Sequence, residues 1–279
     1  MRGLKMSFMA EYCLEHQTLS PDEIYELLER GKVWDVSPTL NAGGAVIFPH
    51  ASIRHCGHQI AAAVHGCLKS GADQILALGV THSVTERQSA LSEKVRQGGN
   101  VFSEPERGVF PRVEGEFSLF HFKRLLQIEA KRRGVKPPRL IERYAFLACG
   151  EPESMPGIEE LKKISSDSVV VATGDLVHHG VAYNTPYDQV LEGGSEGLLF
   201  ARKSITKGLS FLGRGDYKAY LEHCLKDKSD FIDCGSVLGY VMGKFKASVL
   251  DLKLVDSSYL FEDELSPSWV ATALITIES

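Results

Sequence analysis

Short apolar runs alternate along this chain with longer stretches of helical period. AVIFP (45–49), DQILALGV (73–80), RYAFLACG (143–150) and DSVVVATGD (167–175) each hold a brief unbroken apolar segment bounded by turn residues. That pattern belongs to strands covered on both faces. Between them, GHQIAAAVHGCLKSG (57–71), FSLFHFKRLLQIEAKRRG (117–134) and ESMPGIEELKKI (153–164) repeat apolar positions every three or four residues, as amphipathic helices do. LSPDEIYELLERG (19–31) predicts a helix with Ser20 as N-cap, Pro21 at the first helical position, Glu23 closing a capping box and Gly31 ending it. The later chain reads as helices over 195–212, 215–228 and 235–245, then a half-exposed strand in SVLDLKLVDSSYLF (248–261) and a final strand in WVATALITI (269–277).

Strands alternating with helices predict a single-domain α/β sandwich around a central, mostly parallel sheet. Residues 1–40 are expected as an N-terminal helical extension to a main domain over 41–279. Residues 83–116, polar and rich in glycine and proline, are expected as a lid or excursion. No internal repeat or low-complexity segment interrupts the chain.

With 279 residues and a formal net charge of -5, the chain carries no basic signature of a nucleic-acid partner. KRR (131–133) is a solvated helix end suited to the C-terminal dipole. No 18-residue apolar stretch predicts a membrane span, and the first residues lack the apolar core and cleavage site of a secretory signal. The six cysteines are widely spaced with no CxxC pair, which suits buried thiols and a cytoplasmic location rather than a disulfide framework.

Histidine placement changes the picture. AVIFP runs into His50, ILALGVT into His82, and VVVATGDLV into His178 and His179. The carboxyl ends of strands in open α/β sheets gather along one edge, where ligands bind. One histidine after a strand is an ordinary hydrogen-bonded loop residue, whereas three such placements among ten histidines favour a shared site. His55 is a candidate for the same pocket; Cys56 and His58 suit packing or solvent equally well. Four ligands from residues 50–58 alone do not make a structural zinc site, which draws on two separated pairs.

Four ordered segments add to this reading. PHASIRHCG (49–57), ILALGVTHS (75–83), TGDLVHHG (173–180) and IDCGSVLGYVM (232–242) resemble elements of the Memo family, whose fold is that of the class III extradiol ring-cleavage dioxygenases. The resemblance covers roughly residues 40–279. It implies that His50 and His82 bind metal, with Cys234 where true extradiol enzymes carry a glutamate. It also implies that His178 works as an acid/base near substrate and that Asp175 orients it. The departures fall at Ser52, Ile53, Ser83, Thr173, Gly174, His179 and residues 236–238, and bear on substrate identity more than on the metal. Asp233, beside Cys234, is the rival third ligand.

The implied cofactor is a divalent metal, Fe(II) first and Cu or Zn as alternatives that a thiolate ligand would favour. The implied activity is that of a non-haem oxygenase or redox enzyme acting on a small aromatic or phenolic molecule, with His55, Tyr183 and His179 as pocket-wall residues. Two other readings stay open: a non-catalytic adaptor binding a peptide or a metal, and a metal-dependent hydrolase.

Overall fold

A computed structural model describes residues 7–261 and 265–278. The first six residues of the expected N-terminal extension, and the start of the chain read for a secretory signal, lie outside the described residues.

The chain runs α1 (Phe8–Thr18), α2 (Pro21–Gly31), α3 (Ser37–Asn41), β1 (Ala45–Phe48), α4 (Ile53–Ser70), β2 (Gln74–Gly79), α5 (Glu86–Arg96), β3 (Gly108–Phe110) and α6 (Phe120–Arg133). It continues with β4 (Arg139–Phe146), α7 (Ile158–Ser166), β5 (Val169–Thr173), β6 (Val177–Gly180), α8 (Ser195–Arg214), α9 (Tyr217–Asp227), α10 (Ile232–Met242), β7 (Lys246–Asp256) and β8 (Ser268–Glu278). The eight strands among the described residues form one mixed sheet. Its centre, β4-β2-β5-β1, is parallel. The flanks are antiparallel: β3 on β4, and β8 on β1, β6 and β7.

Helices cover both faces, and the strand residues divide between two apolar layers with period two. Val46, Phe48, Ile75, Ala77 and Val171 pack with Leu28 of α2, Ile60 of α4 and Phe122 of α6. Ala45, Ile47, Leu76, Leu78 and Ala172 pack with Leu161 of α7, Ile205 of α8 and Leu238 of α10. This is the α/β sandwich expected from the apolar runs, and α2 and α3 contribute to its core rather than standing outside it.

Local sequence signals account for the elements. The capping box of α2 forms, with the Ser20 hydroxyl accepting from the Glu23 N–H and Glu23 accepting from the Ser20 N–H. Gly71 and Gly134 end α4 and α6 in the left-handed conformation that glycine tolerates.

The 83–116 segment is fastened to the body. It contains α5 and β3, and buried Arg107 donates from Nε to the Leu147 carbonyl at 3.0 Å, from Nη1 to the Ser154 carbonyl at 2.7 Å and from Nη2 to the Glu151 carbonyl at 3.0 Å.

One strand reading needs correcting. VVVATGDLVHHG is not a single strand: β5 stops at Thr173, and the chain turns through Gly174 and Asp175 before β6 pairs with β8. β1 and β6 therefore share one edge of β8, at Ile275–Ile277 and at Ser268–Ala271 respectively. The turn between β5 and β6 carries Asp175, one of the polar residues that collect at this edge. Among the described residues no helix is long and apolar enough to cross a membrane.

Candidate metal centre

His50 lies two residues past β1, and His82 three past β2. Asp175 lies in the turn after β5, and His178 on β6. The fifth member, Asp230, was not singled out by the sequence; it lies in the turn between α9 and α10. Two hydrogen bonds tie that turn to the β5–β6 turn: the Asp175 N–H donates to Asp230 Oδ1 at 2.8 Å, and the Asp230 N–H to the Asp175 carbonyl at 3.3 Å. Gly174 makes this approach feasible, since a Cβ there would stand 2.3 Å from the Phe231 ring.

Three imidazoles converge on one carboxylate oxygen. Asp230 Oδ2 lies 3.1 Å from His50 Nε2, 3.5 Å from His82 Nε2 and 3.8 Å from His178 Nε2. Each ring is oriented through its other nitrogen. His82 Nδ1 donates to Glu116 Oε1 at 3.2 Å and His178 Nδ1 to the Lys228 carbonyl at 2.8 Å, and both acceptors fix Nδ1 as the protonated atom. His50 Nδ1 meets the Thr173 hydroxyl at 3.1 Å, a group able to accept. Glu116 is itself pinned, accepting backbone N–H groups from His82, Ser83, Phe117 and Ser118. A carboxylate behind a histidine is the usual orienting partner of a metal-binding imidazole.

Burial and the neighbouring charges act against one another throughout the cluster. Burial disfavours charge on His82, but Asp230 and Glu116 outweigh it and hold its pKa up at about 10. Burial likewise disfavours charged His50, and Asp175 and Asp230 raise it nonetheless. For Glu116 burial acts upward, yet His82 and the backbone N–H groups pull its carboxyl down to about 2. Asp230 is depressed by the three histidines against its burial. Asp175 is raised, chiefly by burial. Carboxylate charge thus favours protons on these imidazoles, as it would favour a bound cation.

His50, His82 and Asp230 place donor atoms within 4.8 Å of one another, as do Asp175, His178 and Asp230. Buried imidazole and carboxylate donors of this kind could bind a metal ion.

The centre opens into a cavity of about 440 Å³, within the range of roughly 300–1,000 Å³ typical of small-molecule sites. Tyr12, Phe117, Tyr183, Tyr259 and Phe261 supply aromatic walls, while Arg96 and Lys228 bring positive charge to the lining. The Phe117 ring stacks on His82 with centroids 4.7 Å apart. Helix α1 closes one side: the Tyr12 hydroxyl donates to the His50 carbonyl, and Glu15 accepts from the Ser52 hydroxyl and, at 3.1 Å, from the Ile53 N–H at the start of α4.

Three expected positions and one expected role require correction. Cys234 is not gathered with the histidines: it sits in the first turn of α10, 1% exposed, its side chain in the apolar layer with Phe231, Val237 and Leu238. Asp230, four residues earlier, occupies the place expected of it. His179 faces the opposite side of β6 from His178, as strand alternation requires, stacking on Trp269 at 4.7 Å and accepting the Leu191 N–H at 2.9 Å. His55 is exposed on α4 and does not line the cavity. Asp175 does not orient His178, whose ring the Lys228 carbonyl holds; its Oδ1 accepts the His50 N–H at 3.4 Å. The rival ligand Asp233 accepts the Leu147 and Ala148 N–H groups at 3.0 and 2.7 Å. Tyr183 does line the cavity, its hydroxyl donating to Ser257 Oγ at 2.9 Å.

No protein-family model matches the chain, and no curated protein matches it.

Proposed function

We propose that this protein is a metal-dependent enzyme of the non-haem oxygenase type, acting on a small aromatic or phenolic molecule, with a fold related to the class III extradiol dioxygenases and the Memo family. The observation that carries this reading is a two-histidine, one-carboxylate set, His50, His82 and Asp230, at the base of a 440 Å³ cavity with aromatic walls. That donor set is the one used by non-haem Fe(II) oxygenases. An Fe(II) ion held there would supply open positions at which a phenolate and dioxygen are brought together.

The chain's own residues do the rest. Glu116 and Thr173 hold the His82 and His50 rings in place. Tyr12, Phe117 and Tyr183 confine a planar ring and exclude water from its faces. Because His178 carries its proton on Nδ1 for the Lys228 carbonyl, its Nε2 lone pair is free to accept a proton from a phenolic hydroxyl and later return it. Replacing Cys234 by Asp230 as third ligand moves the metal preference from soft, thiophilic ions toward iron.

The test is metal analysis of protein purified without chelator, followed by oxygen uptake with a panel of catechols. Bound iron with substrate-dependent uptake is the expected result; zinc with no uptake from any catechol contradicts it. His178→Ala is expected to keep the iron and lower turnover at least 100-fold, the scale of a lost general base.

A further inference from the structure

The polar groups around Asp230 outnumber what one ion in the His50–His82–Asp230 set would engage. Asp175 and His178 form a second set with the same Asp230. Both are aimed by contacts that leave one donor atom free: the Lys228 carbonyl occupies His178 Nδ1, and the His50 N–H is directed at Asp175 Oδ1. Asp175 Oδ2, the remaining oxygen, is 3.9 Å from His50 Nε2. In Asp230, Oδ1 is taken by the Asp175 N–H, so Oδ2 alone faces all three imidazoles. A single oxygen so placed can bridge two cations, as in two-metal sites whose ions stand about 3.5–4 Å apart.

Charge points the same way. Asp175, Asp230 and Glu116 put three carboxylates around the cluster, with side chains 5%, 16% and 0% exposed. One divalent ion balances two of these three charges when all are ionised, and a second cation would balance the remaining one in a buried setting.

We propose a second cation position, formed by Asp175 and His178 and joined to the first through Asp230. It rests on the reading of His50, His82 and Asp230 as the first position, and adds a regulatory consequence. A divalent metal ion in the second position occupies His178 Nε2 and so removes the proton acceptor from use. The second ion binds more weakly than the first, because it shares a ligand with a cation only a few ångströms away.

The experiment is titration of the chelator-stripped full chain with Mn(II), read by equilibrium dialysis and electron paramagnetic resonance. Two equivalents are expected, the second at least tenfold weaker, with the isolated-ion signal giving way to that of a spin-coupled pair as the second fills. His178→Ala and Asp175→Asn are each expected to lose the second equivalent and keep the first. Saturation at one equivalent overturns the second position while leaving the first intact, and no binding at all overturns both. Two equivalents without spin coupling, or two that survive both substitutions, place the second ion elsewhere and overturn the proposal.

Discussion

Two histidine pairs flank Tyr12, and they are in opposite states. The His50 and His82 rings lie 4.9 Å apart, the His16 and His121 rings 5.0 Å apart. The first pair faces Asp230, Glu116 and Asp175, and its members are drawn toward the charged form. The second pair shares a hydrogen bond of 2.9 Å between His16 Nε2 and His121 Nδ1. His16 is held down at about 4 by burial and by Arg124, and His121 lies well below its usual value through burial, His16 and His50. The Glu15 carboxylate, 3.6 Å from His121, is already engaged by Ser52 and Ile53. Equal spacing of imidazoles therefore does not decide their role. The carboxylates around them do, making one pair a candidate cation site and the other a neutral latch that seats α1 against α6.

The largest effect that would sharpen this contrast is at the carboxylate shared by the histidines. Asp230→Ala is expected to weaken metal binding at least 100-fold with an unchanged far-ultraviolet circular dichroism spectrum; retained affinity would put the ion elsewhere. Glu116→Gln keeps an acceptor for His82 but removes its charge, and about a 10- to 100-fold loss of affinity is expected, the scale of other orienting carboxylates. Isothermal titration with the same metal measures both.

Acidification tests the second pair. A histidine whose folded pKa is depressed contributes stability that is present above its unfolded value near 6.5 and declines as pH falls toward the folded value. For His16 that window runs down to about 4. Hydrogen exchange in α1, corrected for intrinsic rates, should rise several-fold between pH 6.5 and pH 4 while that in α2 changes little. His121→Phe should flatten this response, and a pH-independent α1 would contradict the latch. The smallest effect is expected at His55, exposed on α4. His55→Ala should shift metal affinity less than twofold.

Much of the fold was legible because its signals are local. β1, β2 and β5 are short apolar runs covered on both faces, and the caps of α2 and α4 are written in Ser20, Glu23 and Gly71. The alignment of His50 and His82 at strand ends was legible for the same reason. The break between β5 and β6 was not, since only the pairing of β6 with β8 separates it from a longer strand. Asp230 was missed because its position depends on the α9–α10 turn docking onto residues 174–175, some 55 positions away. The one local hint is Ser229-Asp230 directly ahead of a helix that begins at the sheet edge. Glu116 carries no such hint. Its contact with His82 spans 34 residues and depends on how the intervening segment is fastened, by Arg107 and β3 and by the Ser83 hydroxyl on the Gly115 carbonyl.

The third ligand is the point on which this picture turns, and cobalt reads it directly. Co(II) bound to imidazole and carboxylate gives only weak visible bands, whereas a thiolate ligand adds intense sulfur-to-cobalt charge transfer in the near ultraviolet. With Asp230 as ligand, the Co(II) protein should lack that charge transfer, and Cys234→Ser should leave both spectrum and affinity unchanged. An intense sulfur band that disappears in Cys234→Ser would return the cysteine to the metal and contradict the assignment.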